Sequence, residues 1–329
     1  METIALMGPY DMAVKQMLRE LAPETFAFVE VHSEQELARL QQAQYIILRV
    51  LGTPAELIAS LPKLRLIQRW GVGFDKVDIQ AAGARNIPVA VTPGMNAASV
   101  SEMAVLHMLA VYRRLLTLHR NVLAGKWQQP GLASISYTIC GKTAGLIGLG
   151  HIGRLVAQKV QAFGAKVQYF DSFRLPAAEE QQLGLCYVSL EELLHTSDIV
   201  SLHVPLTDAT RHLIDRHAIE LMKPEAILIN TARGGIVCER DLIDALREHR
   251  ILGAGLDCEE QEPAAADSPL LQLDNVVLTP HMGGSTIDTS RNMARRCIEN
   301  IIRVSRGEEL SPKDVVNRQY FSEQRVKTN

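Results

Sequence analysis

The sequence predicts an α/β protein built on doubly wound parallel sheets. Three observations predict it. Short apolar runs alternate with stretches of helical spacing along most of the chain. A glycine-punctuated turn, Gly148-Leu149-Gly150-His151-Ile152-Gly153, follows one such run and opens a helical pattern. The next apolar run ends on an acid, Asp171. A chain of 329 residues suggests about two domains on the usual length prior. Because the glycine turn begins at Gly148, a separate unit must occupy the chain before it.

In that first unit, Ile4–Met7, Tyr45–Leu48, Leu66–Gln68 and Val89–Val91 read as strands, with helices at Asp11 to Leu21 and Glu34 to Gln41. Ser99-Val100-Ser101-Glu102 fits a capping box. The helix expected to start there runs through Tyr112 towards Leu118 and is apolar nearly all round. Such a helix must be buried on every side, either between domains or in a subunit interface, and we expect a homodimer in which it is a major contact. From Gly141 the rhythm resumes, with strands expected at Ala144–Ile147, Lys166–Phe170, Asp198–His203, Ala226–Asn230, Gly253–Leu256 and Asn275–Leu278. That is a six-stranded doubly wound sheet, complete before the helical stretch Thr289 to Arg306. The last stretch is expected to return to the first domain. The expected division is 1–98 with 287–329, interrupted by 99–286.

The parts of the glycine region have a shared physical logic. Gly148 allows a tight turn. Gly150 lets backbone approach a pyrophosphate, and Gly153 lets the helix pack on its strand. The helix N-terminus at His151 and Ile152 offers N–H groups and the positive end of a dipole to phosphate. Asp171, about twenty residues on, can accept hydrogen bonds from ribose hydroxyls and repel an added phosphate. The expected cofactor is NAD. Arg174, three residues past Asp171, could accommodate the phosphate of NADP, so the preference for NAD is an expectation to test.

Composition excludes other classes. The apolar content of 47% suits a globular core, and a net charge of −3 gives no electrostatic case for nucleic acid or an anionic membrane. No apolar stretch reaches the ~18 residues of a spanning helix, and the N-terminus lacks the basic region of a signal peptide. The five cysteines are scattered without a CxxC pair, which reads as reduced thiols in a cytoplasmic protein without a metal site.

Doubly wound sheets bind ligands beyond the carboxyl ends of their strands. Three loops in that position carry reactive groups: Thr231-Ala232-Arg233-Gly234, Asp257 to Pro263, and Pro280-His281-Met282-Gly283. A guanidinium can grip a carboxylate through two parallel hydrogen bonds. An imidazole can give a proton to a carbonyl oxygen as a hydride arrives, and a neighbouring carboxylate favours the imidazolium. Beside NAD, these groups describe reduction of a 2-oxo acid. His107 and His119, on the long helix, are expected to pack. His203, at a strand end before Pro205, borders the cofactor loop. Residue chemistry alone does not choose among Glu259, Glu260 and Glu262.

These residues resemble the D-isomer-specific 2-hydroxyacid dehydrogenase family. The resemblance runs from Arg69-Trp70-Gly71-Val72-Gly73-Phe74-Asp75 through Gly94-Met95-Asn96 and Ser101-Glu102 to Pro280-His281-Met282-Gly283-Gly284. It implies a Rossmann NAD domain inserted into a smaller flavodoxin-like α/β substrate domain, in a dimer. It implies Arg233 as substrate clamp, Glu262 as partner of the histidine and His281 as acid/base. It also implies substrate contacts from Val72, Gly73, Phe74 and Asn96. For the cofactor it implies Gly148, Gly150, His151, Ile152, Gly153, Asp171, His203, Pro205, Thr231, Ala232, Asp257 and Gly283, with Asp257 near the nicotinamide carboxamide. Arg49 and Arg69 resemble positions where phosphoglycerate dehydrogenases carry arginines that face the substrate. Glyoxylate, hydroxypyruvate and 3-phosphoglycerate are the expected substrates. An NAD-sensing corepressor or a phosphite-type dehydrogenase would share the fold. Cys258-Glu259 departs from the aromatic or aliphatic pair of many relatives, which we read as a packing variation.

Overall fold

The computed structural model describes residues 1–322. The chain divides into two compact units. One comprises Met1–Asn96 and the residues from Ser285 onward, and the other Ala97–Gly284. Residues 323–329 of the expected first domain lie outside the described residues.

The first unit carries β1 (Glu2–Met7), β2 (Phe26–Val31), β3 (Tyr45–Leu48), β4 (Leu66–Arg69) and β5 (Val89–Ala90). They form a parallel sheet in the order β2-β1-β3-β4-β5, which is the flavodoxin-like order. Apolar runs without alternation suit a parallel sheet covered on both faces. Ile4, Leu6, Tyr45, Ile47 and Leu66 feed one core; Ala5, Met7, Ile46, Leu48 and Ile67 feed the other. The helix Ile287–Ser305 buries Met293, Ala294, Cys297, Ile298, Ile301 and Val304 at spacings of three and four, against β4 and the helix Met12–Leu21. Each buried isoleucine there contributes about 1.5–3 kcal/mol. That apolar stripe is why the C-terminal stretch returns to this sheet.

The second unit carries β6 (Thr143–Ile147), β7 (Lys166–Phe170), β8 (Leu185–Tyr187), β9 (Ile199–Leu202), β10 (Ile227–Asn230), β11 (Gly253–Leu256) and β12 (Val276–Leu278). All pair in parallel in the order β12-β11-β10-β9-β6-β7-β8. The winding reverses between β6 and β9, which makes the ends of those strands the switch point where ligands bind in such sheets.

Several expectations are corrected. The second sheet has seven strands, because Leu185–Tyr187 pairs with β7. Three residues with an exposed cysteine in the middle give too short a pattern to read. β2 escaped for a related reason: five of its six residues are only half-buried at the sheet edge. The segment Glu34–Gln42 is 3₁₀ rather than α. The capping box does not form. The long helix spans Ala97–Tyr112, so Ser99 and Glu102 lie inside it. It stops before Arg114, whose φ of 49° breaks the helical path, and a second helix follows at Leu115–Leu123. Within its own unit the long helix is covered over only part of its surface. Its buried residues face β10, β11, β12 and the helix His151–Ala162, while Leu106 is 52% exposed.

Candidate active site

The glycine turn stands at the end of β6. Gly148 has φ 97°, and a Cβ there would fall 2.7 Å from the His203 carbonyl. A Cβ on Gly153 would fall 2.2 Å from the Gly148 carbonyl oxygen, so the helix His151–Ala162 can sit this close only with glycine. Gly150 differs. A Cβ there would meet nothing within 4 Å. Its glycine is not demanded by packing, and the open space above it is the cradle that a pyrophosphate needs.

Asp171 lies just past β7. Its carboxylate accepts from the Leu149 N–H at 2.7 Å and the Phe173 N–H at 3.0 Å, which fixes it beside the glycine turn. Arg174 is turned away by a two-point pair with Glu180, at 2.9 and 3.1 Å. His203 lies behind the turn, its Nε2 3.0 Å from the Ser201 hydroxyl. Burial pushes its pKa down to about 4, so it is neutral at physiological pH. Pro205, in the loop beyond, accepts at its carbonyl from the Thr210 hydroxyl.

The loop after β10 is held by Asn230, a strand-end residue that the sequence pattern alone does not mark as functional. Its Oδ1 accepts from the Ala232 N–H at 3.0 Å, and its Nδ2 donates to the Arg233 carbonyl at 2.9 Å. A side-chain amide buried at a strand end was the available signal. The Arg233 guanidinium donates to the Ala232 carbonyl at 2.6 Å. The Thr231 hydroxyl is buried with no hydrogen-bond partner among the described residues, an orphan polar group of the kind a bound polar ligand satisfies. Gly234 lets this loop touch the next one: a Cβ there would fall 1.9 Å from the Glu259 carbonyl oxygen.

That contact brings the second and third loops together. His281 Nδ1 lies 2.9 and 3.0 Å from the two oxygens of Glu262. Glu262 also accepts from the Glu259 N–H at 3.3 Å. Burial alone would raise the Glu262 pKa. The His281 hydrogen bond and charge, with the Glu259 N–H and the Arg233 charge, outweigh it and hold the carboxyl below the ordinary range. Arg233, Glu262 and His281 are thus one electrostatic group. The geometry, with the coupling to Arg233, selects Glu262 over Glu259 and Glu260. Glu260 pairs instead with His212 at 2.7 Å. With Nδ1 engaged by the carboxylate, Nε2 is the ring nitrogen left to exchange a proton.

His281 has φ 54°, a left-handed conformation that costs a non-glycine residue about 1–2 kcal/mol. Asp257, buried after β11, accepts from the N–H groups of Met282 at 2.9 Å and Gly283 at 2.7 Å and so pins the turn. Cys258, which departs from the family pattern, is buried with its thiol pKa pushed far up by that burial, in keeping with a packing role.

The remaining expected residues belong to the first unit. Arg69 lies at the end of β4, and its guanidinium donates to the carbonyls of Gly73 at 2.6 Å, Leu48 at 3.0 Å and Arg49 at 2.8 Å. It braces the loop that carries Val72, Gly73 and Phe74. Arg49 donates to the Pro9 carbonyl at 2.9 Å and lies over the Tyr10 ring. Asn96 is the last residue of this unit's first segment and is half-buried.

Residues 105–283 match the family described as "D-isomer specific 2-hydroxyacid dehydrogenase, NAD binding domain". The chain belongs to the D-isomer-specific 2-hydroxyacid dehydrogenase family. The match covers the glycine turn, Asp171 and the Arg233, Glu262 and His281 loops. This dehydrogenase is 42% identical over 267 residues to a glyoxylate reductase of Korarchaeum cryptofilum, covering 80% of each chain. It is 36% identical over 298 residues to a hydroxypyruvate reductase of Thermotoga maritima, covering 90% of this chain and 95% of that one. Among solved structures, a D-lactate dehydrogenase of Aquifex aeolicus complexed with NAD and lactic acid superposes with a TM-score of 0.84 at 29% identity, covering 96% of this chain and 99% of that one. Membership makes this dehydrogenase an NAD-dependent oxidoreductase, and the open cradle at Gly150 fits that cofactor.

Proposed function

We propose that this dehydrogenase reduces a short 2-oxo acid, glyoxylate or hydroxypyruvate, to the corresponding 2-hydroxy acid, of D configuration where C2 is a stereocentre. The observation that carries the reading is the His281–Glu262 pair, with the Arg233 charge reaching the same carboxylate. NADH, when bound, would supply the hydride for the carbonyl carbon. His281 Nε2 gives the proton that completes the hydroxyl, and Glu262 stabilises the imidazolium that gives it. Arg233 grips the substrate carboxylate and polarises the carbonyl. Gly148, Gly150, Gly153 and the first turn at His151 and Ile152 would take the pyrophosphate. Asp171 would take the ribose. Thr231, Ala232, Asp257, Gly283 and the loop from His203 to Pro205 would line the nicotinamide side. Val72, Gly73, Phe74 and Asn96 would serve the substrate. We assign 1–98 with 287–329 to substrate binding.

The two relatives named above for glyoxylate and hydroxypyruvate support short unphosphorylated substrates. So does Arg69, whose donors are engaged by backbone carbonyls rather than arranged for a phosphate. Asp171 beside the glycine turn, with Arg174 held by Glu180, supports NAD over NADP. We further propose a cytoplasmic homodimer. Support comes from free thiols among the described residues and from exposed Leu106, Leu116, Leu123 and Trp127 on one unit. No helix among the described residues is long and apolar enough to cross a membrane.

The test is NADH oxidation against glyoxylate, hydroxypyruvate, phosphohydroxypyruvate, pyruvate and longer 2-oxo acids. The expected result is the highest kcat/KM on one of the first two. A phosphorylated winner would return Arg49 and Arg69 to the substrate. NADH binding without turnover on any of them would overturn the reading and favour a sensing or phosphite-type role.

A further inference from the structure

His107 is 1% exposed, in the middle of the helix Ala97–Tyr112, and its Nε2 lies 2.9 Å from the Thr279 hydroxyl. That hydroxyl lies 2.5 Å from Asp257 Oδ1. The same Oδ1 accepts from the Met282 N–H, and Oδ2 accepts from the Gly283 N–H. His281 lies between Thr279 and Met282, so one carboxylate oxygen ties down the turn on both sides of it. The His281 N–H closes the turn onto the Thr279 carbonyl at 2.9 Å.

The hydrogen count runs one way along this chain. A carboxylate only accepts, so the single Thr279 hydroxyl proton goes to Asp257. Thr279 must then accept from His107, which places the ring proton on Nε2. Nδ1 is left as a buried acceptor with no hydrogen-bond partner among the described residues. Protonating it would bury an unpaired donor and a charge, and burial indeed lowers the His107 pKa against the pull of Asp257. The ring is therefore a fixed neutral donor. Room for it comes from β11: a Cβ on Gly255 would fall 2.7 Å from His107 Cβ and 2.9 Å from Nδ1. Packing alone would be served by an apolar side chain here. An imidazole with one ring nitrogen aimed at Thr279 and the other unsatisfied is costly unless the donor has a use.

We propose that His107 is a positioning residue for His281, acting through Thr279 and Asp257 to hold the left-handed turn that presents the imidazole. The proposal rests on the reading of His281 as acid/base. His107 sets the Thr279 rotamer, Thr279 sets the Asp257 carboxylate, and Asp257 offsets the strain at His281.

The test uses the full chain with NADH and glyoxylate or hydroxypyruvate, the rates normalised to NADH-binding sites. His107→Leu should lower kcat about fivefold or more, since small displacements of a reacting group carry large rate penalties. The KM for the 2-oxo acid should stay within about twofold, because Arg233 is untouched. His107→Gln, which can donate from a similar point, should restore most of the rate. Thr279→Val should show the same loss, and the double variant should be no worse than either single one. Hydrogen exchange at the Met282 and Gly283 amides should speed up about tenfold in His107→Leu, whatever the substrate. Unchanged kcat and unchanged exchange in His107→Leu, or additive losses in the double variant, would overturn the proposal. If His107→Leu does not fold, wild-type exchange and rate in Thr279→Val overturn it equally. His281→Ala run alongside separates the two claims: full activity there would sink the acid/base reading itself.

Discussion

At the scale of the residue, the proposed chemistry rests on His281 hydrogen-bonded to Glu262. His281→Ala should lower kcat/KM for reduction by about 10²–10⁴ while NADH binding is nearly unchanged, as steady-state rates and fluorescence titration will show. Glu262 acts through charge. Its carboxyl is held below the ordinary range, so it stays ionised as pH falls through the window where the same group in an unfolded chain takes up a proton. It therefore supports folding above that window, and the support is lost as pH drops through its own lowered value. An ionised Glu262 also favours the protonated imidazole that reduction requires. Glu262→Gln should lower kcat/KM for reduction about tenfold or more, and a wild-type rate would remove Glu262 from this role. The positions of the His281 and Arg233 loops just past parallel strands were legible from the sequence pattern. The choice of Glu262 over Glu259 and Glu260 was not. Three acids within four positions look alike until the fold points one of them at an imidazole.

At the scale of the element, the glycines separate into kinds that sequence alone cannot tell apart. Gly153 is closed by the Gly148 carbonyl, whereas Gly150 faces open space. Gly150→Ala should fold with wild-type stability yet weaken NADH binding about tenfold or more, a loss of about 1.4 kcal/mol or more. A large drop in melting temperature, or unaltered affinity, would contradict the cradle. The helix Glu239–Arg247 ends with His249 in the left-handed region at φ 51°. The Arg250 N–H returns to the Ala245 carbonyl and the His249 N–H to the Leu246 carbonyl, closing a Schellman motif. His249 is exposed. His249→Gly should raise stability by about 0.5–1 kcal/mol in urea unfolding, because glycine reaches this conformation without the Cβ penalty. The failed capping box belongs at this scale as well. Ser99 and Glu102 have the right spacing, but the helix gains its first turn from burial of Ala97 and Val100 and starts earlier.

At the scale of the whole molecule, the open question is what covers the exposed apolar side chains of the NAD-binding unit. Leu106, Leu116, Leu123 and Trp127 are 42–80% exposed, and large exposed apolar side chains are candidates for burial against a partner. Light scattering at micromolar concentration should give twice the chain mass, and Leu106→Glu with Leu123→Glu should shift the protein to monomer. A monomer mass for the unaltered chain would rule out the homodimer.

The order of strands and helices, the two parallel sheets and the strand-end loops were determined by the sequence by itself, because apolar period, glycine turns and terminal acids are local signals. Short or half-buried strands such as Leu185–Tyr187 and Phe26–Val31 carry too little of that signal and exist through their neighbours. The partners were decided only by the tertiary structure: Glu262 for His281, Glu180 for Arg174, backbone carbonyls for Arg69, and Thr279 for His107. Hydrogen bonds and ion pairs act over a few ångströms between residues far apart in the chain. Only packing the helices onto the sheets brings their atoms within that reach.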